Sequence, residues 1–123
     1  MPKLLLVEDE LEVVDYLKDY FQHHGVTVFI ANTGEAGLEM LASQAPDVVL
    51  LDMKLGAGIS GLEFLRKAKA AKLSSQIIVV TAVDDENVAN MAKGLGAADY
   101  VTKPLTLQDF DRVVLARLKK TPA

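Results

Sequence analysis

The run Asp47-Val48-Val49-Leu50-Leu51-Asp52 decides the fold. Its apolar residues are consecutive rather than alternating and too few for a helix, so they read as a strand covered on both faces, as in a parallel sheet. An earlier run, Leu4-Leu5-Leu6-Val7, has the same character and ends in Glu8-Asp9-Glu10. Each of these strands delivers carboxylates at its C-terminal end. In open parallel sheets ligands bind in the crevice outside the carboxyl ends of the strands, so acids gathered there would form a cation site with one carboxylate left for chemistry. Two later runs add a hydroxyl and an amine: Ile77-Ile78-Val79-Val80 ends in Thr81, and Tyr100-Val101-Thr102 ends in Lys103-Pro104.

Working outward, strand-like runs span Lys3 to Val7, Val26 to Ile30, Asp47 to Leu51, Gln76 to Val80 and Asp99 to Val101, separated by longer segments with helical spacing. In the first helical segment Val14, Leu17 and Phe21 form an apolar stripe that Val13 and Tyr20 widen, and Gly25 supplies a stop. Ser60-Gly61-Leu62-Glu63 fits a capping box, with Leu62, Leu65 and Ala68 as the inward face behind it. Thr106 is the expected N-cap of the last segment, Asp109 its third helical position, and Phe110, Val113, Val114 and Leu118 its inward face. The prediction is one α/β domain over residues 1–123: a doubly wound, five-stranded parallel sheet with helices on both faces. Right-handed crossovers leave few strand orders, and 2-1-3-4-5 is the one that sets strands 1 and 3 side by side, with Glu8, Asp9 and Asp52 together.

Composition narrows the function classes. The chain has 123 residues, half of them apolar, enough for a core without staples. It has no cysteine, which excludes a disulfide framework, a thiolate zinc site and a thiol nucleophile. The apolar run after Met1-Pro2-Lys3 is too short for a signal-peptide core or a membrane span, so a cytoplasmic protein without membrane contact is expected. Thirteen basic against seventeen acidic residues, with no basic stripe interleaved with aromatics, argue against direct nucleic-acid binding. Arg112, Arg117, Lys119 and Lys120 cluster where cations favour a helix C-terminus. His23 and His24 are adjacent and read as surface residues.

The chemistry of the acids follows from their charge. Two carboxylates about 4 Å apart repel by about 4 kcal/mol at an effective dielectric of 20, which a divalent cation relieves. Magnesium suits a site with few carboxylates that keeps coordination positions for phosphate oxygens. Asp9 or Glu10 taken alone would more simply cap the next helix; Asp52 is what favours a metal site. Asp52 is then either a ligand only or also a nucleophile that forms an acyl phosphate, a route needing charge neutralisation more than an added base. The Thr81 hydroxyl and the Lys103 ammonium, each at a strand end, are placed to hold phosphoryl oxygens. Either one alone would read as a turn residue or a solvated surface group.

This arrangement closely resembles the receiver domain of two-component response regulators, across essentially the whole chain. The resemblance rests on Leu4-Leu5-Leu6-Val7-Glu8-Asp9-Glu10, Val49-Leu50-Leu51-Asp52, Val79-Val80-Thr81-Ala82 and the segment from Gly96 to Pro104, in that order. It implies Asp52 as phosphoacceptor, supplied by a histidine kinase or histidine phosphotransfer protein. It implies Mg2+ as cofactor, bound by Asp9 and Asp52, by Glu8 through water, and by the Lys54 backbone carbonyl. Thr81 and Lys103 are implied on the phosphoryl group, and Tyr100 as the aromatic that turns inward when Thr81 moves. The Lys103–Pro104 bond is implied to be cis, against about 5% for X-Pro bonds generally. Phosphotransfer and autodephosphorylation would be self-catalysed, making the protein a signalling phosphoacceptor rather than an enzyme. Readout would be by a downstream protein or by self-association through the fourth helix, fifth strand and fifth helix.

Three features depart from the family's pattern. Gly56 stands where proline is usual, and Gly61 lies nine rather than eight residues after Asp52, so the loop is one residue longer and richer in glycine. Lys54 and Val83 occupy positions where side chains tune phosphoryl lifetime, and Leu105 replaces a frequent Phe. Other classes fit less well. A haloacid-dehalogenase-type phosphatase has a second Asp where Lys54 stands, and a flavodoxin-like redox protein needs a phosphate loop that Glu8-Asp9-Glu10 would repel. A receiver-like interaction module that is never phosphorylated would not need the set Asp52, Thr81 and Lys103. The 123 residues contain no output domain, so the expectation is a stand-alone regulator or a receiver cut from a longer chain.

Overall fold

A computed structural model describes residues 2–55, 58–72, 74–81, 86–102 and 106–120. Five parallel strands, β1 (Lys3–Val7), β2 (Thr27–Ala31), β3 (Val48–Asp52), β4 (Gln76–Thr81) and β5 (Asp99–Thr102), form one sheet in the order β2-β1-β3-β4-β5. This is the predicted order, with strand ends within a residue or so of those read from the sequence. Between them run α1 (Leu11–His23), α2 (Gly34–Gln44), α3 (Gly61–Ala70) and α4 (Glu86–Gly94), and a last helix, α5, covers 107–120.

Side chains alternate across each strand, so the nearly continuous apolar runs feed two cores at once. On one face Leu4, Leu6, Leu50, Ile78 and Val80 pack against Leu17 and Phe21 of α1 and Phe110, Val114 and Leu118 of α5. On the other, Leu5, Val7, Leu51 and Val79 meet Leu41 of α2, Phe64 and Leu65 of α3 and Ala92 of α4. The α1 stripe is as predicted: Val14, Leu17 and Phe21 are buried, and Val13 and Tyr20 are packed beside them. Gly25 ends that turn at a φ of 77°, in the left-handed region that favours glycine.

Two helices differ from the reading of their spacing. In α3 the Ser60 hydroxyl accepts from the Glu63 amide at 3.2 Å, as a capping box requires, but Phe64 is fully buried while Leu62 is only half-buried. The reason lies in α2: a Cβ at Gly37 would stand 3.0 Å from the Phe64 ring, so the missing side chain makes the space the ring fills. In α5 the Thr106 hydroxyl accepts from the Asp109 amide at 3.2 Å and donates to the Asp109 carboxylate at 3.0 Å, confirming the cap. Beyond it, Phe110–Leu115 is a π-helix, whose wider turn brings Leu115 inward together with Phe110, Val113 and Val114. The Tyr20 hydroxyl of α1 donates to the Asp111 carboxylate on this segment.

His23 and His24 are exposed, as expected, and each ring Nδ1 lies on a backbone carbonyl one turn earlier. Arg117 is more than a dipole-favouring surface cation, because it reaches the Asp99 carboxylate and the Ala98 carbonyl, both at 3.3 Å. Among the described residues no helix is long and apolar enough to cross a membrane.

Candidate functional site

Strand order and register assemble the site. Strands β1 and β3 are hydrogen-bonded neighbours with Leu6 opposite Leu50 and Val7 opposite Leu51, so the residues that follow, Glu8 and Asp52, emerge side by side. Asp52 is the last residue of β3 and only 3% exposed; Thr81 ends β4 next door and is equally buried. Glu8 is 8% exposed, its backbone amide tied to the Ala31 carbonyl of β2 at 3.1 Å. Asp9 is exposed at the rim. One carboxylate oxygen from each of Glu8, Asp9 and Asp52 lies within 4.8 Å of the others, the cluster the sequence predicts.

Local hydrogen bonds hold two of these acids in place. The Glu8 carboxylate accepts the Asp9 and Glu10 amides at 3.0 and 3.1 Å, and the Asp52 carboxylate accepts the Lys54 amide at 2.9 Å. Glu10 occupies the N-cap position of α1 but makes no side-chain cap bond. The Asp9 and Glu10 amides before α1 are therefore satisfied by Glu8, and Glu10 does not do the side-chain capping that it alone suggested. Burial, reinforced by the Asp52 side chain beside it, pushes Glu8 up from the usual carboxylate range to about 7, against the opposing pull of the Glu10 amide. Burial disfavours the charged form first, and the neighbouring Asp52 adds to it.

Thr81 is the other polar group buried at this edge, and its Oγ1 has no hydrogen-bond partner among the described residues. A buried hydroxyl left in this state costs about 1–3 kcal/mol, and such groups call for an explanation. On β5, Tyr100 is half-buried against the α2–α3–α4 core, with the Lys93 ammonium 4.9 Å from its ring centroid. Lys54 is exposed at the start of the loop after β3. Lys103 and Pro104, with the expected cis bond, lie outside the described residues, as do Gly56, Ala82, Val83 and Leu105.

One contributor carries no signal in the sequence. Glu35, in the first turn of α2, accepts the Ile59 amide at 3.1 Å and so holds the loop between Asp52 and α3. An acid in a first helical turn reads as dipole-favouring, and nothing local tells which distant amide it meets.

Comparison with known proteins agrees with this geometry. The response regulator receiver domain model matches residues 4–115. The chain is 32% identical over 119 residues to the alkaline phosphatase synthesis transcriptional regulatory protein PhoP of Bacillus subtilis, covering 97% of this chain and 49% of that protein. It thus spans about half the length of that relative. A response regulator receiver domain protein from Clostridium thermocellum is 28% identical, with a TM-score of 0.87 over 97% of this chain and 95% of that one. A two-component response regulator from Clostridium difficile, 22% identical, has the same fold, with a TM-score of 0.89 over the whole of both chains. The acids at the ends of β1 and β3 thus sit in a known frame, and the chain belongs to the response regulator receiver domain family of two-component signalling.

Proposed function

We propose that Asp52 accepts a phosphoryl group from a phosphohistidine of a histidine kinase or histidine phosphotransfer protein. An Asp52 oxygen attacks phosphorus, the phosphorus–nitrogen bond breaks, and the imidazole keeps the electron pair. The observation that carries this reading is the pairing of a buried, strand-end Asp52 with a buried Thr81 hydroxyl that has no partner among the described residues. A nucleophile and a waiting donor at adjacent strand ends suit an incoming group with acceptor oxygens.

The donor set fits magnesium. Three carboxylates offer hard oxygen ligands within 4.8 Å, too few for an all-protein calcium cage, and the proton-hungry Glu8 registers the charge a cation would relieve. Asp9 and Asp52 would hold the ion directly, Glu8 through water, and the Lys54 carbonyl would complete the protein ligands. When bound, the ion neutralises the carboxylates and offers positions for phosphoryl oxygens. Thr81 donates its hydroxyl to one such oxygen and Lys103 its ammonium to another. The Asp52 orientation is held by the Lys54 amide.

Phosphorylation is read out on the face of α4, β5 and α5, by a downstream protein or a second copy of the chain. Thr81 moving toward the phosphoryl group frees space into which Tyr100 turns. The protein acts in the cytoplasm, as a phosphoacceptor with self-catalysed transfer and hydrolysis. Labelling with acetyl phosphate and magnesium tests the assignment: wild type should incorporate phosphate and Asp52→Asn should not. Labelling that survives the substitution would refute it.

A further inference from the structure

Outside the acid cluster, a constrained contact joins α2 to residues between Asp52 and α3. The Glu35 carboxylate accepts the Ile59 amide at 3.1 Å. Gly58 has a φ of 76°, and a Cβ there would stand 2.2 and 2.7 Å from the two Glu35 carboxylate oxygens, so the carboxylate lies against bare backbone. A reciprocal approach flanks it: a Cβ at Gly34 would meet the Ile59 side chain at 2.5 Å. Ile59 itself packs against the core formed by α2, α3 and α4. At the start of α3, a Cβ at Gly61 would stand 2.8 Å from the Met53 Cα, next to Asp52 in the chain.

Described residues on both sides of 56–57 are therefore held, Lys54 on one side and Gly58 and Ile59 on the other. The first is held by its amide on Asp52, and the second pair by the clasp of Glu35. Glycine at 34, 58 and 61 leaves room for the Ile59 side chain, the Glu35 carboxylate and the Met53 backbone respectively. The Ile59 bond is to an exposed carboxylate, where solvent screens the charge, and it bridges residues 24 apart in sequence. Nothing in the acid cluster requires it. Its effect is on how firmly Gly58 and Ile59, just before α3, are held.

We propose that Glu35 is a positioning residue for the phosphoryl chemistry, clasping the loop exit at Gly58 and Ile59 so that water reaches the Asp52 acyl phosphate slowly. The proposal rests on Asp52 being the phosphoacceptor. In the step it controls, a water oxygen attacks phosphorus and the bond from phosphorus to the Asp52 oxygen breaks. The electron pair returns to the carboxylate, inorganic phosphate leaves, and the surplus proton passes to solvent.

The test follows decay of the acyl phosphate in the full chain, labelled with acetyl phosphate and magnesium, for wild type, Glu35→Ala, Glu35→Gln and Asp52→Asn. Loss of this hydrogen bond should shorten the half-life about threefold to tenfold in Glu35→Ala. Glu35→Gln keeps an acceptor oxygen and should stay within about twofold of wild type. Faster exchange of the Ile59 amide in Glu35→Ala alone should accompany the change. Gly58→Ala should shorten the lifetime in the wild-type background and do so less once Glu35 is alanine, because the collision with the carboxylate is then gone and only the strain of a left-handed backbone at φ 76° remains. A wild-type decay rate in Glu35→Ala, or a shortened lifetime that glutamine fails to rescue, overturns the proposal while leaving the phosphoacceptor standing. Labelling that persists in Asp52→Asn overturns both.

Discussion

The carboxylates of Glu8 and Asp52, buried at the ends of the adjacent strands β1 and β3, come within 4.8 Å of each other and share the cluster with Asp9. Their proximity gives the metal-free protein a specific dependence on pH. Glu8 is raised from 4.5 to about 7, by burial first and by Asp52 second, so the folded state binds a proton that the unfolded chain releases. Stability from this group is fully present below about pH 4.5 and is lost as pH rises through 7. In the metal-free protein the difference in unfolding free energy between wild type and Glu8→Gln should change between pH 5 and 7, by at most about 3 kcal/mol. Urea melts in chelator at several pH values would show it; parallel curves for the two proteins would contradict it. Magnesium needs the unprotonated acid, so its affinity should weaken as pH falls below 7.

Asp9 separates a metal ligand from a structural acid. It is exposed, and the Asp9 and Glu10 amides ahead of α1 are taken by Glu8. Asp9→Asn should weaken magnesium binding about tenfold or more, or about 1.4 kcal/mol, and leave metal-free stability unchanged or higher. Isothermal titration and thermal melts measure the two effects. A clear drop in metal-free stability would instead make Asp9 a capping residue.

Thr81 permits an isosteric test. Because its buried hydroxyl makes no hydrogen bond with the described residues, Thr81→Val should leave the unphosphorylated protein as stable as wild type, or more stable by about 1 kcal/mol. The same change removes the donor proposed to meet the phosphoryl group. Amide shifts around Tyr100 and α4 on adding a beryllofluoride mimic should then shrink. Shifts of undiminished size in Thr81→Val would break the link from hydroxyl to surface.

Lys54 combines two roles that mutation can split. Its backbone amide orients Asp52, while its side chain is exposed two residues beyond the proposed phosphoacceptor. Lys54→Ala keeps the amide, so it should alter the acyl-phosphate lifetime by about threefold or more while leaving the end point of labelling in place. An unchanged decay would assign the side chain to solvent.

Strand order and the meeting of Glu8, Asp9 and Asp52 were legible because parallel strands buried on both faces are written as continuous apolar runs, and acids directly after them can only emerge at the sheet's carboxyl edge. The stripe Val14, Leu17, Phe21 and the caps at Ser60 and Thr106 were legible because their causes lie within a few residues of each other. Phe64 was missed in α3 because its place depends on Gly37 of another helix. The π-turn in α5 was missed because a regular helix accounts for Phe110, Val113, Val114 and Leu118 equally well.

The sequence by itself thus determined the sheet, its order and the chemical types at its carboxyl edge, all of which follow from local periodicity and from chirality. Tertiary structure alone decided that Glu8 would hold a proton near neutrality, that the Thr81 hydroxyl would find no partner among the described residues, and that Glu35 would close on Gly58 and Ile59. Burial, desolvation and the partner of a hydrogen bond are properties of groups brought together from distant parts of the chain, and no local pattern of residues encodes them.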